Sequence, residues 1–387
     1  MKIISVVGAR PNFMKIAPFI RAINNYNKTS SSTQNHITHI LVHTGQHYDD
    51  RMSKQFFEDL HIPEVDYNLG VGSGSHAEQV GKTMIEFEKI LRIEKPDWVV
   101  VVGDVNATLA CSVTAKKENI KCCHIEAGLR SGDMSMPEEI NRMVTDRLSD
   151  LLLTPDHISS ENLRLEGVPE QRIRFVGNIM IDTLEANRHK ASSISLKDIA
   201  DRNALGNQCF PTELQDENYT LMTLHRPSNV DNQEVFSSLV HFLTQEVTHD
   251  MPLFWPIHPR AKKQLEIFDL WQEVESSKNL ILLHPLDYND MLRLNMGAKI
   301  LLTDSGGLQE ECTIIGTPCL TLRWNTERPI TLQENGGVSV LVGNNIERIK
   351  AEYRKILNKP RTPFRPELWD GKAAERCLDA ILYYNYF

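Results

Sequence analysis

A chain of 387 residues with 41% hydrophobic and 24% charged positions carries enough apolar side chains for two full cores. Its formal net charge of −9 excludes a general nucleic-acid binder, which needs a basic face. No apolar run approaches the roughly 20 residues that cross a bilayer, and Met1-Lys2 leads straight into a strand-like run rather than a signal peptide, so no membrane partner and a cytoplasmic location are expected.

Short runs rich in Val, Ile and Leu recur between longer segments of helical period. The first six are Ile3–Val7, Ile37–Val42, Trp98–Val102, Cys122–Ile125, Leu151–Leu153 and Ile173–Val176. Six more follow at Thr220–Leu224, Leu253–Ile257, Leu280–Leu283, Ile300–Leu302, Cys319–Leu322 and Val338–Val342. Apolar runs without alternation are the mark of strands covered on both faces, and their alternation with helices predicts two parallel-sheet α/β units. A hinge near Gly177-Asn178 separates a first domain, 1–177, from a second, 178–367. The polar stretch Arg188–Gln208 reads as a loosely packed helix and loop rather than core. Pro360, Pro363 and Pro366 then break the pattern, and a last helix within 368–387 presents Ala373, Ala374, Cys377, Leu378 and Ile381 on one side, suited to packing back on the first domain. The seven cysteines, at 111, 122, 123, 209, 312, 319 and 377, form no CxxC pair and read as buried free thiols of a reducing compartment.

Ligands of open α/β sheets sit outside the carboxyl ends of the strands, and the unusual polar residues cluster there. Gly8-Ala9-Arg10-Pro11-Asn12-Phe13-Met14-Lys15 follows the first strand and lacks the GxGxxG fingerprint; Arg10 and Lys15 suit an anionic substrate or are two solvated cations. His43 and His47 flank a strand-to-loop junction without a completing ligand, so hydrogen bonding is preferred to metal. Asp104 caps the third strand, Glu126 ends the next, and Glu138 opens the segment Pro137-Glu138-Glu139-Ile140-Asn141-Arg142. Each alone has a plain structural reading, as a helix cap or a favourable dipole placement. Three acids at neighbouring strand ends point instead to proton transfer. His225 and His258 end successive strands of the second half, and Arg323 and Glu327 lie in the charged loop Arg323–Pro329. Thr303-Asp304-Ser305-Gly306-Gly307-Leu308-Gln309-Glu310-Glu311 turns from strand into helix with glycines where helix-start N–H groups are free, a diphosphate site by chemistry.

The ordered segments GARPNFMKIAP, HTGQHY, GDVNATLA, HIEAGLRSGD, MPEEINR, TLHRPSNVD, PLDY, LLTDSGGLQEE and LRWNTERP span positions 8–329 and, with WDGKAAER near the end, resemble the UDP-N-acetylglucosamine 2-epimerase family. GARPNFMK is similar to the GTRPE opening of the non-hydrolysing branch, not to the GTRADYG of hydrolysing sialic-acid enzymes. The resemblance implies two Rossmann-like domains facing a cleft, as in glycosyltransferases of the B type, with the last helix returning to the first domain. It implies interconversion of UDP-GlcNAc and UDP-ManNAc through elimination of UDP, a 2-acetamidoglucal, and re-addition, with no cofactor or metal and as a homodimer. It places catalysis on Asp104, Glu126, Glu138, His225 and Lys15, and nucleotide contacts on Ser305, Gly306, Gly307 and Glu311. The substrate-binding set is completed by Arg10, Arg142, His258, Met291, Arg323 and Glu327, Met291 standing where some relatives place a phenylalanine near the uracil.

The chain departs from the family in GDVN for the common GDTT, and in Gly72-Ser73-Gly74-Ser75-His76, which lacks an Arg-Gln pair that some bacterial relatives use to bind an activating second UDP-GlcNAc. Four competing expectations use much of the same machinery. They are a hydrolysing epimerase releasing ManNAc and UDP, a 2-epimerase of a related sugar such as a deoxy or diacetamido UDP-hexose, a glycosyltransferase dependent on an acceptor, and a UDP-sugar-binding regulator without turnover.

Overall fold

The computed structural model describes residues 1–29, 36–45, 60, 62–206 and 214–384, apart from the side chain of Arg10. The chain divides into two compact units, Met1–Thr183 with Pro366–Phe387, and Leu184–Arg365. The first cut falls inside the helix Ile179–Ser192, just beyond Gly177.

The first unit holds a seven-stranded sheet of β1 (Lys2–Val7), β2 (Thr38–His43), β3 (Tyr67–Asn68), β4 (Trp98–Val102), β5 (Lys121–Ile125), β6 (Leu151–Thr154) and β7 (Ile173–Phe175), in the order β3-β2-β1-β4-β5-β6-β7. Every neighbour pair is parallel. Helices on both faces cover the strands, which is why β4 is buried at all five positions and can be Val-rich throughout. All six expected strands of this half are present. The unexpected β3 is two residues long, and too short a segment to carry an apolar pattern.

The second unit repeats the plan with β8 (Thr220–Thr223), β9 (Leu253–Pro256), β10 (Leu280–Leu283), β11 (Ile300–Thr303), β12 (Cys319–Thr321) and β13 (Ser339–Leu341), in the order β10-β9-β8-β11-β12-β13. Again all pairs are parallel. One expectation for this unit is corrected. The segment after Arg188 is not loosely packed: Leu196, Ile199 and Ala200, one stripe of the helix Leu196–Asn203, are buried against Tyr219, Leu221 and Phe254.

Both sheets have the doubly wound order, and each has one switch point where the order reverses: between β1 and β4 in the first unit, between β8 and β11 in the second. Helices leaving these neighbouring strands diverge to opposite faces, so a crevice opens at the strand ends. The helix after β1 and the turn after β4 carry Lys15 and Asp104; the turns after β8 and β11 carry His225 and Ser305.

The chain ends by returning to the first unit. The helix Ala373–Leu382 buries Ala373, Ala374, Cys377, Leu378 and Ile381, and packs against the helix Arg10–Thr29. Asp182 accepts hydrogen bonds from the amides of Ala373 (3.0 Å) and Ala374 (2.7 Å), satisfying donors at the helix start. Before it, Trp369 is buried and its Nε1–H donates to the Pro155 carbonyl at 2.8 Å. This seam passes over Gly177, whose φ is +87° and on which a Cβ would stand 2.1 Å from the Leu368 carbonyl oxygen. Gly177→Ala therefore combines left-handed strain with a backbone clash, and a loss of about 3 kcal/mol is expected. Urea unfolding with an unchanged midpoint would contradict it. The six described cysteines, Cys111, Cys122, Cys123, Cys312, Cys319 and Cys377, are free and buried; Cys209 lies outside the described residues.

Candidate functional site

The first unit gathers its polar residues at the β1/β4 switch point. Asn12 clamps the turn after β1: its Oδ1 accepts from the amides of Gly8 (3.2 Å) and Ala9 (3.1 Å), and its Nδ2 donates to the Val102 carbonyl at the end of β4 (2.8 Å). One turn along the helix, Lys15 is buried and its Nζ donates to the Glu126 carboxylate. Gly103 makes room for that pair. Its φ is +70°, and a Cβ there would lie 3.1 Å from Lys15 Nζ and 3.4 Å from Glu126 Oε2. Glu126 itself has φ +75°, an uncommon backbone state for a residue with a side chain.

Asp104 follows Gly103 and does not cap the next helix, Asn106–Lys117, whose N-cap is Val105 without a side-chain bond. The Asp104 carboxylate, one quarter exposed, is instead held by Arg142 Nη1 at 2.5 Å. Arg142 is fully buried and also grips Glu139 through Nε (3.0 Å) and Nη2 (2.6 Å). Burial alone would raise the Glu139 carboxyl; the Ser131 amide, Arg142 and the Gly132 amide outweigh it and hold it below the usual range. Glu138 is half-buried in the first turn of the helix Pro137–Leu148 and, among the described residues, has no hydrogen bond or ion pair. Of the three acids, two are bound to buried cations and Glu138 is not.

His43 accepts the Gly45 amide through Nδ1 at 3.0 Å and stacks on Phe13, with ring centroids 5.5 Å apart. Burial lowers its pKa, an effect that Asn68 partly opposes. Gln46, His47 and Tyr48 lie outside the described residues, as does the Arg10 side chain.

In the second unit, Asp304 is fully buried at the end of β11 and faces the turn after β8. Its carboxylate accepts from the amides of His225 (3.0 Å) and Arg226 (2.8 Å), from Asn229 Nδ2 (3.1 Å) and from His225 Nδ1 (2.7 Å). Burial would raise this carboxyl; His225 and the two amides together hold it below the usual range. The His225 ring is therefore oriented with Nδ1 inward, and Nε2 is its remaining nitrogen on a side chain that is 41% exposed. His258, exposed, lies against it with ring centroids 5.7 Å apart, so the two strand-end histidines do meet. Its own Nδ1 accepts the Arg260 amide at 3.1 Å.

Ser305 is the N-cap of the helix Gly306–Ile315 and makes no side-chain cap bond; Ser305, Gly306 and Gly307 are all half-exposed. The helix therefore presents free N–H groups beside a small hydroxyl, an anion-binding arrangement. A Cβ on Gly306 would stand 2.6 Å from Arg328 Nη1 and 2.8 Å from Glu327 Oε1, so glycine is what lets these charges approach the turn. Arg328 was not singled out by the sequence and is a cation at the turn. Arg323 and Glu327, expected to reach a ligand, are buried and paired within the chain: Arg323 Nη2 pairs with Glu327 Oε2 (2.6 Å), Glu327 pairs with Arg328, and Arg328 Nε pairs with Glu310 Oε1 (2.8 Å). Met291 is half-buried against the apolar core.

Glu311 is buried one turn into the same helix, and burial pushes its carboxyl up to about 7, partly offset by Tyr288 and Asn295 and reinforced by Glu310. Its folded value thus lies above the ordinary 4.5, so its burial costs nothing below about pH 4.5 and destabilises the fold progressively as pH rises to about 7. The gap corresponds to roughly 3 kcal/mol. Glu311→Gln is expected to gain stability relative to the parent across that window and to hold the gain above it; parallel pH dependences of the two unfolding free energies would refute this.

A family model described as UDP-N-acetylglucosamine 2-epimerase matches residues 30–382. The UDP-N-acetylglucosamine 2-epimerase of Methanocaldococcus jannaschii is 42% identical over 387 residues, all of both chains. The UDP-2,3-diacetamido-2,3-dideoxy-D-glucuronate 2-epimerase of Pseudomonas aeruginosa is 36% identical over 386 residues, 98% of this chain and 99% of that one. Among solved structures, the M. jannaschii UDP-GlcNAc 2-epimerase in complex with UDP-GlcNAc and UDP superposes with a TM-score of 0.87 at 40% identity, covering 99% of this chain and 100% of that one. Matched by that family model over residues 30–382 and by a relative 42% identical along its whole length, the chain belongs to the UDP-N-acetylglucosamine 2-epimerase family.

Proposed function

We propose that this protein interconverts UDP-GlcNAc and UDP-ManNAc by non-hydrolytic inversion at C2. The observation that carries the reading is the pairing of two different chemistries at two switch points: carboxylates at β4 and β5 of the first unit, and an anion-binding helix start beside an oriented histidine in the second. The Ser305–Gly307 turn holds the diphosphate, and Glu311 serves the ribose. A carboxylate of the first unit removes the C2 proton while the C1–O bond breaks and UDP departs with its electron pair, leaving a C1=C2 double bond. A second acid then returns a proton to the opposite face of C2, and UDP adds back at C1. Two faces need two proton carriers, which accounts for more than one acid in the site. Asp104, Glu126 and Glu138 share these transfers. His225, through Nε2, donates to the leaving phosphate, and Lys15 and Arg10 oppose its charge.

The protein is proposed to act in the cytoplasm as a homodimer, in keeping with its buried thiols and with the family; among the described residues no helix is long and apolar enough to cross a membrane. The test is incubation with UDP-GlcNAc, following UDP-ManNAc and free UDP by NMR, with the 2,3-diacetamido-glucuronate nucleotide as a second substrate because a 36%-identical relative is named for it. UDP-ManNAc without equivalent UDP release supports the reading. Free ManNAc with UDP makes the enzyme hydrolytic, and binding without turnover at high enzyme concentration makes it a regulator.

A further inference from the structure

His124 and Asp146 lie behind the acids, and both are buried with 0% and 1% of their side chains exposed. His124 Nδ1 is 2.6 Å from Asp146 Oδ1, and its Nε2 is 2.8 Å from the Gly103 carbonyl oxygen. Both neighbours of the ring are acceptors. Asp146 Oδ2 is at the same time occupied by the Gly128 amide (3.0 Å) and Arg130 Nη1 (2.7 Å), and Arg130 in turn is forked onto Glu166 (2.7 and 2.8 Å). The ring thus bridges an ion-paired carboxylate and a backbone carbonyl, holding the two at a fixed separation.

The consequence for geometry is specific. The bond to Gly103 O fixes the peptide immediately before Asp104, while the bond from Gly128 N fixes the turn two residues after Glu126. One carboxylate thus ties together the two strand ends that carry the candidate acids. The turns it holds are those where Gly103 and Glu126 adopt φ of +70° and +75°, and for Glu126, which carries a side chain, that backbone state needs external support. Both side chains are buried, so neither is presented at the surface of the site.

We infer that Asp146 and His124 are positioning residues that set the separation of Asp104 and Glu126 and thereby serve the C2 proton transfers without touching the substrate. This rests on the epimerase reading, and displacement of reacting groups by about 1 Å commonly costs about 100-fold in rate. In full-length protein, Asp146→Asn is expected to lower kcat for UDP-GlcNAc about 100-fold, with KM and UDP affinity within about threefold of the parent. His124→Gln, whose amide N–H still reaches the Gly103 carbonyl, is expected to retain at least tenfold more activity than His124→Leu. A kcat for Asp146→Asn within threefold of the parent, or a change confined to KM, overturns the proposal. Where Asp146→Asn does not fold, equal losses in the Gln and Leu variants of His124 do so. An inactive parent would instead defeat the epimerase reading, and crystal structures then decide the positioning role. Gly103–Asp104 and Glu126–Gly128 displaced in Asp146→Asn support it, and the same segments superposing on the parent overturn it.

Discussion

Asp104→Asn is expected to lower the rate of UDP-GlcNAc epimerisation by about 10³-fold, with a matching fall in deuterium incorporation at C2 when the reaction runs in deuterated water. The asparagine retains an oxygen for Arg142 Nη1, and Arg142 remains neutralised by Glu139, so the pocket keeps its shape while the base is lost. Stability should therefore change by only about 1 kcal/mol. That separates chemistry from folding, which a larger substitution would not. Arg142→Met, by contrast, leaves Glu139 as an uncompensated buried charge and is expected to destabilise the first unit by roughly 3–5 kcal/mol. Undiminished turnover of Asp104→Asn with full C2 deuteration would remove Asp104 from the proton transfers and leave Glu126 and Glu138 to perform them. Glu138 would then be the stronger candidate, because Glu126 is bound to Lys15 and Glu138 has no partner among the described residues.

The sheets were legible because their strands are short, apolar and buried on both faces; the runs at 98–102 and 300–302 admit little else. Strand ends were legible for the same reason, and with them Asp104, Glu126, His225 and Ser305. Strand order was not. Nothing in the residues themselves says that β8 lies beside β11, so the sequence shows Asp304 as part of a turn and not as the partner of His225, 79 positions away. The charged loop after β12 misled for a related reason. Arg323, Glu327 and Arg328 look solvated or ligand-facing until Glu310, on another element, completes a buried chain of alternating charge. Glu139 was the readable omission: it stands three residues before Arg142, the spacing that lets a glutamate and an arginine meet on a helix. The stripe Leu196, Ile199, Ala200 was hidden by the charged residues around it, although its i, i+3, i+4 spacing is that of a buried face.

Asp304→Asn is the second substitution with a large expected effect, about 10⁴-fold in kcat, the order seen when a histidine loses the carboxylate that fixes its tautomer. Among the described residues Asp304 has four donors and no acceptor around it: two amides, Asn229 Nδ2 and His225 Nδ1. An asparagine must turn its NH₂ toward one of them. At Oδ2 it would be set against three donors, His225 N, Arg226 N and Asn229 Nδ2, so it faces His225 Nδ1 instead. The imidazole is then forced to accept at Nδ1 and carry its proton at Nε2, and it loses the anion that steadies it while it exchanges a proton with the leaving phosphate. Backbone acceptance at Oδ2 survives, so the turn and the Ser305–Gly307 helix start stay in place and UDP affinity should change less than tenfold. Asp304→Ala lacks that protection, strands buried donors, and is expected to cost roughly 3–5 kcal/mol in stability as well as activity. The two variants therefore part on thermal melting and agree on turnover. A kcat for Asp304→Asn within threefold of the parent would show that His225 needs no carboxylate behind it, and would move the phosphate's proton donor to another group.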